Sequence, residues 1–218
     1  MGSFKATRIV AIIVILVAWS VILFATCGFG PHFDAKPHEA LGQVAAEEAL
    51  KLLGSGGKLT VITRDTSIFK MPALDAQLRS FRSTIKKAGQ NVAATKLIEV
   101  DPLRLVAMPS GDFTVLIGKQ SEADVIVSFA GPPLLSAEQL AQLGASRPKV
   151  VAVCSGAMPV QINLKAVFEK QLLHAAIISR NNPAPGRPSS REARSTFEQF
   201  FSVVTPANLA ELPVPDLK

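Results

Sequence analysis

The chain has 218 residues, a net charge of +6 and only 18% charged residues, with a positive mean hydropathy. A charged fraction below the roughly 25% of soluble domains excludes a disordered chain and points to apolar residues lying outside a folded core. The basic excess is spread thinly, aromatics are 6% and tyrosine is absent, so no face concentrates the cations and stacking rings that nucleic acid requires. Two cysteines, Cys27 and Cys154, and three histidines at long spacing suit neither a disulfide scaffold nor a metal centre. No motif calls for a cofactor.

The apolar excess is at the amino terminus. Residues 9–27 read IVAIIVILVAWSVILFATC, and no charge stands between Arg8 and Asp34. As a helix rising about 1.5 Å per residue this run nearly spans the hydrocarbon core. Lys5 and Arg8 precede it, which keeps the terminus in the cytoplasm and sends the rest across. We read residues 1–28 as a retained single-pass anchor with a periplasmic or otherwise extracytoplasmic domain behind it. Two rival fates share that side of the membrane: cleavage as a signal peptide, for which the run is long, and lipidation at Cys27.

The remainder alternates amphipathic stretches with short apolar runs. Pro37 opens a helix with Leu41, Val44, Ala45 and Leu52 on one side and Gly54 as its left-handed cap. GSGGK (54–58) lacks the Gly-Lys-Ser/Thr of a phosphate-binding loop and precedes a strand instead of following one. LTVIT (59–63) is a strand. A helix from Pro72 places Leu74, Leu78, Phe81 and Ile85 on one face, ends at Gly89, and turns Arg79, Arg82, Lys86 and Lys87 outward. NVAATKLIEV (91–100) is the second strand. FTVLI (113–117) fits helix or strand; helix is chosen because DVIVSFA (124–130) follows too closely for two parallel strands. Ser136 and Gln139 form a capping box, with Leu135 and Leu140 as a staple. VVAVC (150–154) is a strand, 160–173 a single helix and AAIIS (175–179) a fifth strand. A Pro-rich connector (181–190) leads to residues 191–218, a helix opened by Ser189 and Glu192 and an extended tail.

About five strands, apolar on both faces and separated by helices, predict a doubly wound α/β domain over 37–180, a parallel three-layer sheet in flavodoxin-like order 2-1-3-4-5. LTVITRDTSIF, PALDAQLRSFRSTIKKAGQNV, DFTVLIGKQSEADVIVSFAGPPLL and RPKVVAVCSG resemble, in order and spacing over residues 58–156, one lobe of a type I periplasmic sugar-binding protein. The resemblance implies the fold, and a sugar stacked on Phe69. This chain departs from the family's pattern at Ile68-Phe69-Lys70, where Asn-Pro-aromatic is usual. It also departs at Ala130-Gly131-Pro132-Pro133 and at Cys154, where Asp or Asn is usual. No second lobe is expected after Arg180.

In open parallel sheets ligands bind outside the carboxyl ends of the strands. That edge offers Arg64, Asp65, Thr66, Ser67 and Phe69, then Asp101, Ser128, Gly131, Cys154 and Ser155. Most are also ordinary turn and cap residues. Cys154 reads as a buried inert thiol, since His174 begins a strand at the opposite edge. Phe197, Phe200, Phe201 and Val204 recur at helical spacing, as either the last core helix or a docking helix for a partner. The expected function is a non-catalytic, membrane-anchored binding or accessory subunit. Its partners are the lipid bilayer through residues 9–27 and an envelope protein or small polar ligand. The alternative is a small hydrolase or transferase using the strand-end crevice.

Overall fold

The computed structural model describes residues 14–20, 33–67, 69–98, 110–144, 146–156, 158–180 and 193–212. The chain divides into two units, Met1–Asp34 and Ala35–Lys218. In the first, residues 14–20 are helical and Val14, Ile15, Leu16, Val17 and Trp19 are exposed. The rest of the apolar run 9–27 lies outside the described residues. Among the described residues, no helix is long and apolar enough to cross a membrane.

The second unit is a three-layer α/β domain. Its elements in chain order are α1 (Lys36–Leu52), β1 (Leu59–Arg64), α2 (Pro72–Lys87), β2 (Val92–Ile98), α3 (Ser110–Ile117), β3 (Val125–Ser128) and α4 (Ala137–Gln142). There follow β4 (Lys149–Cys154), α5 (Met158–Gln161), α6 (Leu164–Glu169), β5 (Ala175–Ser179), α7 (Ala193–Phe200), β6 (Phe201–Val204) and a 3₁₀ helix (Pro206–Glu211). The sheet order is β2-β1-β3-β4-β5-β6, parallel except for the antiparallel pair β5 and β6. The expected order 2-1-3-4-5 is therefore present, with one strand added.

Alternation along each strand feeds two cores. Leu59, Val61, Val125, Val127, Val151, Val153, Ala175 and Ile177 face α1, α2 and α7. Ile62, Ile126, Val150, Ala152, Ala176 and Ile178 face the layer of α3 to α6. This double burial is why the strands read as continuous apolar runs. On the first side Phe81 meets Phe129 edge-on, ring centroids 5.4 Å apart, a favoured aromatic geometry. Helix α4 carries the expected capping box: Gln139 N–H donates to Ser136 Oγ at 3.2 Å and Ser136 N–H to Gln139 Oε1 at 2.9 Å.

Five expectations are corrected. The helix over 160–173 is two helices, because Asn163 Oδ1 accepts Ala166 N–H at 3.1 Å and starts a new one. The helical stripe Phe197 to Val204 ends at Phe200; the β-branched run that follows pairs with β5, Ala176 opposite Val204 and Ser179 opposite Phe201. The tail beyond it begins as a 3₁₀ helix, not an extended segment. Strand β2 is not covered on both faces: it is the outermost strand, and residues 93–97 are exposed. Gly54 is not the left-handed cap of α1. Its N–H donates to Ala123 O at 2.9 Å, and the positive φ of 72° falls at Gly56. Asp101, the connector 181–190 and the pair Ser189 and Glu192 lie outside the described residues.

Candidate functional site

The two ends of the sheet are built differently. At the amino end Asp124 precedes β3 and its carboxylate gathers three donors. Lys58 N–H reaches Oδ1 at 2.6 Å, while Ser121 N–H at 2.7 Å and Ser121 Oγ at 3.0 Å reach Oδ2. Burial pushes its pKa up, but those bonds and the Lys58 charge outweigh this and hold it below the usual carboxylate range. His174 clamps β5 to β4: its N–H donates to Val150 O at 2.8 Å and its Nδ1 accepts Val150 N–H at 3.1 Å. Burial, then the Lys149 and Arg147 charges, lower its pKa. Lys149 Nζ closes the same end on Leu52 O at 3.2 Å.

At the carboxyl end, β1 continues two residues beyond its last partner on β3, where Ile62 faces Ser128. Arg64, opposite Ile98 of β2, shares the strand face of Ile62. It is half-buried, its side chain has no hydrogen bond or ion pair among the described residues, and burial alone lowers its pKa. The exposed Asp65 accepts Ser67 N–H at 2.8 Å in a local turn, and bonds from Ser67, backbone before side chain, lower its pKa. Thr66 is half-buried, and Phe69 is 67% exposed on the loop that follows. Across the edge Ser155 and Gly156 are exposed, and Gly156 N–H donates to Ser179 Oγ at 3.2 Å.

Of the residues read from the sequence, Arg64, Asp65, Thr66, Ser67 and Phe69 form one segment at the end of β1, and Ser155 lies at the end of β4 on the same edge of the sheet. Two others are corrected as ligand contacts. Cys154 is fully buried, with its thiol pushed up to about 12 by desolvation. Ser128 is fully buried too, its Oγ accepting Ala130 N–H at 3.3 Å. Gly131 is buried and takes a φ of 89° as the chain turns away from β3. The docking stripe is corrected as well. Phe197, Phe201 and Val204 are buried in the domain's own cores and Phe200 packs against them, so they offer no free face. Sequence reading missed Ser179; a hydroxyl closing an apolar strand was its available signal. Among the described residues, no three His, Cys, Asp or Glu side chains gather to hold a metal ion.

No protein-family model and no curated protein sequence matches the chain. Solved structures do match. The arabinose-binding protein AraP from Geobacillus stearothermophilus superposes with a TM-score of 0.52 at 18% identity, over 81% of this chain and 63% of that one. A carbohydrate transporter solute-binding protein from Agrobacterium radiobacter, solved with D-arabinose, gives 0.48 at 13% identity, over 82% and 61%. A periplasmic ribose ABC transporter from Conexibacter woesei gives 0.46 at 12%, over 65% and 45%. The chain spans less than two thirds of the length of each of these structures. Residues 58–156 thus lie within a domain that resembles periplasmic sugar-binding proteins in fold.

Proposed function

We propose that this is a non-catalytic binding domain, tethered by residues 9–27 and displayed outside the cytoplasm, whose carboxyl sheet edge takes a small polar, hydroxyl-rich ligand. The observation that carries the reading is Phe69: a ring 67% exposed on the loop after β1, five residues beyond a half-buried Arg64. A ring face beside convergent polar groups is the usual way a site holds a sugar-like body and fixes its orientation. The fold shared with AraP, an arabinose-binding protein, supports a ligand-binding role for the domain. Hydrolysis or group transfer is disfavoured by the chemistry of the edge, where the thiol is sealed and the histidine stands at the other end. Docking of an envelope protein on the same edge is the second reading, favoured by the open exposure of Phe69. The tether is supported by the uncharged run after Lys5 and Arg8 and by the exposed apolar side chains of residues 14–19.

Titration calorimetry of the full chain in mild detergent, against a panel of aldoses and sugar acids, tests the binding. At least one is expected to bind, and Phe69→Ala to weaken it about tenfold, the worth of one ring contact. Silence across the panel, or an unchanged Phe69→Ala, would overturn it. Protease added to spheroplasts should digest residues 35–218, and alkaline extraction should leave the intact chain in the membrane. Protection of the domain, or release of the chain, would contradict the tether.

A further inference from the structure

Resting on that binding reading, we propose that the ligand carries an oxyanion, a carboxylate or a phosphate, and that the Arg64 guanidinium receives it. A guanidinium withdrawn even partly from water loses hydration that only hydrogen bonds to acceptors restore. Arg64 is half-buried and has no such bond among the described residues. Three other arginines of the domain are engaged. Arg79 faces Glu39 at 4.0 Å, Arg194 lies 3.0 Å from Glu198 and 3.7 Å from Glu47, and Arg180 Nε donates to Phe201 O at 3.1 Å.

The carboxylate next in sequence does not satisfy Arg64. Asp65 is turned into its own loop by Ser67 N–H at 2.8 Å. Among the described residues Arg64 therefore stands as a planar donor without an acceptor at the edge of a parallel sheet, five residues before the exposed Phe69. Five N–H groups in a rigid fork match a carboxylate or phosphate in two-point contact, whereas a neutral hydroxyl satisfies one donor at a time. Arg147, whose Nη1 is buried without a partner, differs in place: it lies at the amino end beside His174 and serves as a control.

Three probes of similar body separate the possibilities: D-glucose, D-glucuronate and D-glucose 6-phosphate, titrated into the full chain in mild detergent. One of the two anions should bind at least about tenfold more tightly than glucose, as expected for hydrogen bonds to a charged group. The two anionic arms tell carboxylate from phosphate. Arg64→Gln should abolish the preference, Arg64→Lys should retain part of it, and Arg147→Gln should leave it intact. Glucose binding as tightly as both anions, while still depending on Phe69, would overturn the oxyanion and leave the binding reading standing. A preference that survives Arg64→Gln would also overturn it. Failure of all three probes to bind would overturn both.

Discussion

The two ends of one sheet carry opposite arrangements of polar groups. At the amino end they are spent on the chain itself: Asp124 takes three donors from the β1 and β3 approaches, His174 binds Val150 in both directions, and Lys149 holds Leu52. Nη1 of Arg147 and Oε1 of Gln120, both buried without a partner, are exceptions. At the carboxyl end Asp65 is occupied by its own turn and Gly156 by Ser179, while Arg64 finds no acceptor among the described residues and Phe69 is exposed. An end whose polar groups are mostly spent on the chain contributes to stability. One that keeps a cation and a ring unspent sacrifices a little stability for the capacity to bind. The asymmetry separates a structural end from a candidate binding end, although both ends are made of the same strands.

Asp124→Ala should show the largest effect. It orphans the N–H groups of Lys58 and Ser121, and urea unfolding should register a loss of about 2–4 kcal/mol. Gly57→Ala comes next, since its new methyl would be driven onto the Ala123 carbonyl, at about 1–3 kcal/mol for overpacking. The His174 effect is smaller and depends on pH. Its folded pKa is depressed, so its contribution is full above the unfolded value of about 6.5 and is lost as pH falls through the folded one. Wild-type stability should therefore drop between pH 7 and 5 relative to His174→Asn, whose amide oxygen can still accept Val150 N–H. Parallel profiles would refute that assignment. Smallest of all, Arg64→Gln and Phe69→Ala should stay within about 0.5 kcal/mol of wild type. A larger loss would make the carboxyl end structural and erase the comparison.

Much of this fold could be read from residue pattern alone. Strands buried on both faces announce themselves as β-branched runs, and Ser136 and Gln139 mark a helix start by local chemistry that tertiary contacts do not disturb. The failures share a cause. Phe197, Phe200, Phe201 and Val204 satisfy helical spacing, yet whether Phe201–Val204 continues the helix depends on a free edge at β5, a partner distant in sequence. Asn163 fits inside an amphipathic helix as readily as it caps a new one. Strand β2 looks apolar, but its outermost position leaves it exposed. For the site, position on the strand-end edge was legible, and the order of the strands makes it so. Burial was not: Ser128 and Cys154 end strands just as Arg64 does, with Ser155 one residue beyond, and only the packed layer of α3 to α6 decides which side chains meet solvent.

Hydrogen exchange on the full chain, with and without the tightest-binding sugar or sugar acid of the panel, tests the central claim most directly. Slowed exchange confined to residues 64–70, 155–156 and 179–180, with 54–58, 121–125 and 147–150 unchanged, is the result this account predicts. Protection centred on Asp124 and His174, with none at Arg64 and Phe69, would contradict it.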